Sequence, residues 1–325
     1  IHKYLRELNE ATFGTDAEII TVGEMSSTTM ENCYQYANED GKELSMVFSF
    51  HHLKVDFMGN EKWVIVPFDF QKLKKILFDW QVNMGKHHAW NAVFWCNHDQ
   101  PRVVSRFGNV EKYWKESAKM LGTVIHCLRG TPYIYQGEEL GMTNAGFTDI
   151  SQYKDVESLN HFRILQEKGL TEENAYQILQ IHSRDNSRTP MQWTSGENGG
   201  FTTGEPWIEV NKNCSYINAE AELQDEDSIF HYYQKLIALR KEYDVIAYGE
   251  LKPLDEKNPS VFAYEREYQG EKMLVICNFY GKEVTWDSET ELGEYQCVLS
   301  NYEVHNIEGS RIGLKPYEAV VLYKK

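Results

Sequence analysis

Length, composition and charge limit what this chain can be. Its 325 residues, of which 42% are hydrophobic, suffice for one large globular domain and a smaller one. An excess of 49 acidic over 33 basic residues gives a formal net charge of -16, which disfavours nucleic acid and anionic membrane as partners. Because the mean hydropathy is -0.55 and no apolar run approaches the roughly 20 residues that cross a bilayer, we expect a cytoplasmic protein without a membrane span.

The first part of the chain alternates between short apolar runs and amphipathic stretches. It begins at Ile1, partway into a helical pattern over residues 1–14 and without an initiator Met, so we expect a piece of a longer protein. Four apolar runs predict buried strands, at residues 18–24, 43–50, 91–96 and 131–136. Apolar residues at helical spacing follow Asp69, a candidate N-cap, and precede Gly130. This alternation predicts parallel β/α units.

The rest of the chain changes pattern twice. Two polar helical segments and a loop occupy residues 151–194, and a last long helix is predicted at 228–244. Beyond it, short alternating runs predict antiparallel strands at 261–267, 273–279, 283–286, 295–300, 311–314 and 319–324. We therefore divide the chain into a β/α part, residues 1–245, and an all-β domain, residues 246–325.

Two carboxylates directly follow predicted strands. Glu24 ends the first run and Asp99 follows the third. In a β/α barrel both would lie at the carboxyl ends of the strands, where such barrels carry their active sites. Two carboxylates there suit hydrolysis of a glycosidic bond, and His98 is placed to donate to a sugar hydroxyl. Structural roles as N-caps, paired surface charges or core groups remain open for these residues.

Four motifs carry a family resemblance: TVGEM (21–25), FWCNHDQPRVVSRFGN (94–109), GTPYIYQGEELGMTN (130–144) and RDNSRTPMQW (184–193). Together they closely resemble the α-glucosidase branch of the α-amylase clan of glycoside hydrolases, through essentially the whole chain. The resemblance implies an α/β fold, the second half of a (β/α)8 TIM barrel (strands 5–8) followed by a C-terminal antiparallel β-sandwich. The family's nucleophile is an Asp at the end of the fourth barrel strand. No motif here matches it, so we expect the nucleophile in a missing N-terminal half and no activity from this chain alone.

The resemblance also implies roles for individual residues. Glu24 is implied as the general acid/base, and Asp99 as the carboxylate that holds sugar hydroxyls and stabilises the transition state. His98 is implied as a hydroxyl ligand, and Arg184 as the arginine that contacts the non-reducing glucose and pairs with an Asp from an earlier strand. Glu138 and Glu139, which follow the fourth run, are expected to orient the site without touching the sugar.

A basic segment indicates the substrate. Residues 23–29, 48–57 and 182–193 resemble the branch members that act on trehalose 6-phosphate, whereas oligo-1,6-glucosidases are expected to have acidic residues in place of His51 and Lys54. His51, His52 and Lys54 cluster there, and in an acidic chain we expect them to form a local positive site that suits a phosphate. A solvated loop is the alternative, and Lys62 is a lesser candidate. The implied reaction is retaining cleavage of the α,α-1,1 bond of this small phosphorylated disaccharide to glucose and glucose 6-phosphate.

Neither a cofactor nor a metal is expected. The six cysteines have no metal-ligand spacing, which favours reduced thiols, and no glycine-rich phosphate loop is present. Two other functions stay open: an oligo-1,6-glucosidase or dextran glucosidase acting on unphosphorylated α-glucosides, and a non-catalytic, hydrolase-like ectodomain of a transporter subunit. The two acidic residues, Glu24 and Asp99, and the lack of a membrane span favour an enzyme.

Overall fold

The computed structural model describes residues 1–16, 18–303 and 305–325. Within them, a parallel sheet has its strands in chain order: β1 Val22–Met25, β2 Met46–Ser49, β3 Asn91–Val93 and β4 Thr131–Pro132. The α-helices are α1 His2–Thr12, α2 Met30–Cys33, α3 Phe70–Lys86, α4 Val103–Phe107, α5 Trp114–His126, α6 Val156–Glu167, α7 Glu172–His182, α8 Asp185–Arg188, α9 Ala219–Gln224, α10 Ile229–Glu242 and α11 Asp244–Tyr248. Because each strand pairs in parallel with the next one in the chain, the predicted β/α alternation is confirmed.

The first and fourth strands differ from their predictions. The predicted buried strand at residues 131–136 is wrong, because β4 consists of two residues and none of the six is buried. The expected buried strand at residues 18–24 is wrong, because β1 begins only at Val22 and its residues alternate between exposed and half-buried. Ile19 and Ile20 before it are 44% and 68% exposed. Since β1 pairs with β2 alone among the described residues, it is an edge strand that no neighbour covers on its outer side.

Two long helices begin at capping side chains, one of which, Asp69, was predicted. Asp69 accepts a hydrogen bond from the backbone N–H of Lys72 at the start of α3, and Ser228 accepts one from His231 at the start of α10. These side chains satisfy donors that the first turn of a helix leaves free. The helices predicted before Gly130 and at 228–244 are therefore confirmed.

The C-terminal strands form two antiparallel sheets. They are β5 Glu250–Leu254, β6 Val261–Tyr268, β7 Glu271–Asn278, β8 Val284–Asp287, β9 Gln296–Ser300, β10 Asn306–Glu308, β11 Arg311–Leu314 and β12 Ala319–Lys324. The sheet orders are β5-β6-β7-β12-β9 and β10-β11-β8. Apolar side chains of β6 and β7 pack against Trp286 and Ile312 of the smaller sheet, so the predicted β-sandwich is confirmed. Sequence analysis missed β5 and β10.

The larger of these two sheets also packs on the helices of the β/α part. Phe262 and Tyr264 of β6 belong to the same core as Phe78 of α3 and Leu121 of α5. Alternate residues of β6 face the smaller sheet instead. Because both faces are covered, β6 is apolar on both sides. The domain boundary between residues 245 and 246 stays a prediction; the antiparallel strands begin at Glu250.

Other general expectations concern membranes, thiols and metals. Of the described helices, none is long and apolar enough to span a membrane. The six cysteines are free thiols. Across residues 1–16, 18–303 and 305–325, no group of three or more His, Cys, Asp or Glu side chains is arranged to hold a metal ion.

Candidate active site

The strand ends of the parallel sheet carry the predicted site residues. Glu24 lies in β1 opposite Phe48 of β2, and the ring of Phe48 packs edge-on against Phe94, with 5.0 Å between ring centroids. Phe94 directly follows β3 and leads into the loop that carries His98 and Asp99. Because parallel strands have their carboxyl ends at one edge, these residues share one edge of the sheet.

Glu24 stands apart from the other charged groups of this edge. Its side chain is exposed on the edge strand, and within the described part of the chain its carboxylate has neither a hydrogen bond nor an ion pair. No direct contact joins it to Asp99 there. An exposed, unpaired side chain is accessible to a ligand, and a general acid must come within hydrogen-bond distance of the reacting oxygen.

Asp99 is held by two arginines. Its Oδ1 accepts a hydrogen bond from Nη2 of Arg188 at 2.6 Å and lies 3.5 Å from Nη1 of Arg184. Burial favours a higher pKa for this carboxyl, but the hydrogen bond from Arg188 and the nearby charges of His98, Arg184 and Arg188 outweigh it and lower the pKa. Asp99 is therefore a carboxylate at neutral pH.

Arg188 is the residue of this site that sequence analysis missed. Besides its bond to Asp99, it donates from Nε to the backbone carbonyl of His98 at 2.9 Å. Arg184 and Arg188 are four residues apart at the start and the end of α8, a spacing that puts two side chains on the same side of a helix. This spacing within RDNSR was the signal available in the sequence.

Arg184 lies in a wider network of charges. Its Nη2 lies 2.9 Å from Oε2 of Glu157, and its Nε 3.4 Å from Oδ1 of Asp155. Its distance to Asp99 is longer than that of Arg188. The role of Arg184 as the arginine in contact with the sugar stays a prediction, and Arg188 has the closer contact with Asp99.

His98 points towards solvent at the rim of the site. Its side chain is 66% exposed, and its Nε2 lies 3.6 Å from Oδ2 of Asp99. The ring is therefore accessible to a ligand. Oδ2 of Asp99 is the oxygen that neither arginine contacts at hydrogen-bond distance among the described residues, which leaves it available to accept from a sugar hydroxyl.

A 3-10 turn at His51–Lys54 follows β2 directly. The Nδ1 of His51 lies 3.3 Å from the hydroxyl of Ser49, and burial together with the charge of Lys54 lowers the pKa of His51. The ammonium of Lys54 is exposed and has no ion-pair partner in residues 1–16, 18–303 and 305–325. The turn therefore presents a free cation beside a mostly neutral imidazole.

The neighbouring histidine does not add to this charge. His52 is 4% exposed, and its ring packs against Phe94 and Trp95. Burial, and then the charge of Arg106, lower its pKa to about 3. The expectation that both histidines of this segment form a positive cluster is therefore wrong, since His52 is neutral at physiological pH.

Lys62, the lesser phosphate candidate, is already paired. Its ammonium lies 3.2 Å from Oε2 of Glu157 and 4.7 Å from the centre of the Trp63 ring. Burial lowers its pKa, and the charge of Glu157 opposes this effect. A phosphate would have to compete with Glu157 for this cation.

Behind the site, two acidic side chains make structural contacts. Glu138 is buried and accepts a hydrogen bond from the hydroxyl of Tyr233 at 2.9 Å, and burial raises its pKa to about 8. Glu139 accepts from the backbone N–H of Gly137 at 2.8 Å. Both contacts suit the predicted orienting role, which remains a prediction.

Family membership follows from comparison with known proteins. The model of the α-amylase catalytic domain matches residues 1–249, and the model of the C-terminal domain of the α-amylase SusG matches residues 261–321. The chain therefore belongs to the α-amylase family of glycoside hydrolases. This result confirms the resemblance carried by the four motifs, and it assigns the parallel sheet to the family's catalytic domain.

Within this family, the chain is similar in sequence to enzymes of two kinds. The chain is 54% identical to trehalose-6-phosphate hydrolase of Bacillus subtilis and 50% identical to that of Escherichia coli, over 99% and 98% of its length. It is 48% identical to oligo-1,6-glucosidase of Bacillus cereus over its whole length. The crystal structure of Bacillus licheniformis trehalose-6-phosphate hydrolase superimposes with a TM-score of 0.96 at 52% identity, over 99% of this chain and 59% of that one. The chain spans 58% of the length of each of these curated relatives.

Proposed function

We propose that this chain is part of a cytoplasmic hydrolase that cleaves the α,α-1,1 bond of trehalose 6-phosphate to glucose and glucose 6-phosphate with retention. The assignment of the substrate rests on the ammonium of Lys54, which is unpaired among the described residues. It lies beside His51, in a turn at the same sheet edge as Asp99. Relatives with 54% and 50% identity are trehalose-6-phosphate hydrolases, which supports the same substrate.

Glu24 is the general acid in this proposal. Its carboxyl group is exposed and unpaired within the described residues, so it is accessible to the glycosidic oxygen of a bound sugar. A retaining mechanism also needs a nucleophilic carboxylate about 5 Å from the acid. Glu24 has no contact with a second carboxylate in the described part of the chain. We therefore assign the nucleophile to the part of the enzyme that this chain, which spans 58% of the length of its relatives, does not cover.

Asp99 and its neighbours bind the sugar whose bond is broken. Arg188 occupies Oδ1 of Asp99 and keeps the carboxylate ionised, while Oδ2 is open to hydroxyls. A fixed negative charge also stabilises the positive charge that develops on the sugar ring in the transition state. His98, exposed at the rim, adds a second hydrogen-bond partner for hydroxyls.

The phosphate is assigned to the turn after β2. Lys54 supplies the charge, and His51 supplies a hydrogen bond from its Nε2, since its Nδ1 faces Ser49. A hydrogen bond to a charged group contributes roughly 1.5 to 3 kcal/mol. Such a contribution suffices to separate a phosphorylated disaccharide from its neutral counterpart by about one to two powers of ten.

The test requires a complete barrel. We define the completed enzyme as this chain joined to the part of the Bacillus subtilis relative that it does not match. Its kcat/KM is measured for trehalose 6-phosphate, trehalose and isomaltose. Trehalose 6-phosphate is expected to be the best substrate. Preference for isomaltose would favour the oligo-1,6-glucosidase alternative, which the 48% identity to the Bacillus cereus enzyme keeps open, and hydrolysis of none of the three would favour the non-catalytic alternative.

A further inference from the structure

A buried ion pair lies between the two parts of the site. Arg106, in α4 after the Asp99 loop, forms a two-pronged contact with Asp56: Nε donates to Oδ2 at 2.7 Å, and Nη2 donates to Oδ1 at 2.5 Å. The two side chains are only 4% and 7% exposed. Removing one partner of a buried pair leaves an uncompensated charge, so the pair strongly favours one arrangement of the segments it joins.

The remaining donors of Arg106 reach both sides of the site. Nη2 also donates to the backbone carbonyl of Leu53 at 2.5 Å, within the His51–Lys54 turn. Nη1 donates to the side chain of Gln100 at 3.0 Å, next to Asp99. A single guanidinium therefore connects the turn with the loop. Only a planar fork with several fixed donors can make these contacts together, and an ammonium cannot.

Asp56 has a narrower set of contacts. Its carboxylate binds Arg106 and no other side chain by a hydrogen bond or ion pair among the described residues. It directly follows Val55, a core residue after the turn. Changing Asp56 therefore removes the ion-pair part of the connection to the turn, while the contacts of Arg106 with Leu53 and with Gln100 remain.

We infer that Arg106 and Asp56 are positioning residues that fix the His51–Lys54 turn relative to Asp99, and so set the distance between the phosphate of a substrate and its scissile bond. The inference rests on the proposed function. Neither residue touches the substrate in this arrangement. Asp56 acts through the turn that carries His51 and Lys54, so its loss should affect the phosphorylated substrate more than a neutral one. Arg106 also acts through Gln100 on the side of Asp99.

Asp56→Asn in the completed enzyme tests the inference, because it keeps the shape of the side chain and removes its charge. We expect kcat/KM for trehalose 6-phosphate to fall about tenfold, mainly through KM, and that for a neutral aryl α-glucoside to fall less than about threefold. In a Lys54→Ala background, Asp56→Asn should cause little further loss on trehalose 6-phosphate, because both changes remove the same contact.

Controls separate positioning from folding. Asp287→Asn removes one charge from an exposed ion pair with Arg311 in the β-sandwich. It should leave kcat/KM unchanged for both substrates. If Asp56→Asn does not yield folded protein, Asp56→Glu, which keeps the charge but moves the carboxylate, must show the same difference between substrates. Equal losses on both substrates in a folded variant, or full additivity with Lys54→Ala, would overturn the inference. The proposed function is tested separately: it fails if the unmodified completed enzyme does not prefer trehalose 6-phosphate.

Discussion

Arg188 binds both the side chain of Asp99 and the backbone next to it. Its Nη2 lies 2.6 Å from Oδ1 of Asp99, and its Nε donates to the backbone carbonyl of the preceding residue, His98. One guanidinium thus fixes the position of the carboxylate and of the loop that carries it. Arg184 reaches the same oxygen only at 3.5 Å and divides its contacts among three carboxylates.

The first prediction compares these two arginines. In the completed enzyme, Arg188→Ala should lower kcat/KM by about one to two powers of ten, since a charge-assisted hydrogen bond contributes roughly 1.5 to 3 kcal/mol. Arg184→Ala should lower kcat/KM by a smaller factor, because the contact of Arg184 with Asp99 is longer. Steady-state kinetics on trehalose 6-phosphate and on a neutral aryl α-glucoside measure both effects. A larger loss for Arg184→Ala would support the original assignment of the sugar contact to Arg184.

The second prediction concerns pH and the same carboxylate. The pKa of Asp99 is lowered in the folded protein, and the hydrogen bond from Arg188 contributes to this. In the proposed function Asp99 works as an anion, so activity should be lost as the pH falls through its pKa. Arg188→Ala raises that pKa and should move the acid limb of the kcat/KM profile to higher pH. An unchanged acid limb in this variant would mean that another group controls it.

Much of this site could be predicted from sequence because apolar runs and motifs mark strand ends. The positions of Asp99 and of the His51–Lys54 turn follow from the runs that precede them. Which residue of a pair faces the site does not follow from these runs. His51 and His52 are neighbours, but the turn directs His52 into the core against Phe94. Nor do the runs indicate that Arg188 rather than Arg184 approaches Asp99 most closely.

The missed features of the fold have similar physical causes. The run over residues 18–24 is apolar, but burial depends on neighbours, and β1 is an edge strand within the described residues. Strand β5 (Glu250–Leu254) contains Pro253 and charged residues, which are unfavourable signals for a strand. Pro253 is tolerated because β5 is at the edge of its sheet.

The third prediction concerns Glu24. In the completed enzyme, Glu24→Gln should abolish turnover of trehalose 6-phosphate and leave its binding largely intact, because the amide cannot donate the acid proton but keeps the shape of the side chain. Hydrolysis assays and calorimetric titration measure the two properties. Glu31→Gln, an exposed acidic residue of α2, is the control and should be active. Near-normal turnover by the Glu24 variant would remove it from the acid role.

The fourth prediction concerns Glu138 and the stability of this chain. Burial raises the pKa of Glu138 from its ordinary value of 4.5 to about 8, so between these pH values the unfolded state binds fewer protons than the folded one. The contribution of Glu138 to the free energy of unfolding is therefore largest at low pH and falls as the pH rises through this window, by at most about 1.4 kcal/mol per pH unit. Glu138→Gln should flatten this pH dependence in urea titrations from pH 5 to 8. A slope equal to that of the unmodified chain would contradict the assignment.

The fifth prediction concerns Lys54 and separates the phosphorylated substrate from a plain α-glucoside. Its ammonium is exposed and without an ion-pair partner in the described part of the chain, so a phosphate can bind it without breaking another contact. In the completed enzyme, Lys54→Ala should lower kcat/KM for trehalose 6-phosphate by about one to two powers of ten and leave a neutral aryl α-glucoside nearly unaffected. Lys75→Ala, an exposed lysine of α3 paired with Asp79, is the matched control and should change neither value. A folding defect would lower both activities together, so the difference between the substrates carries the test. Equal losses, or none, would place the phosphate elsewhere and favour an unphosphorylated substrate.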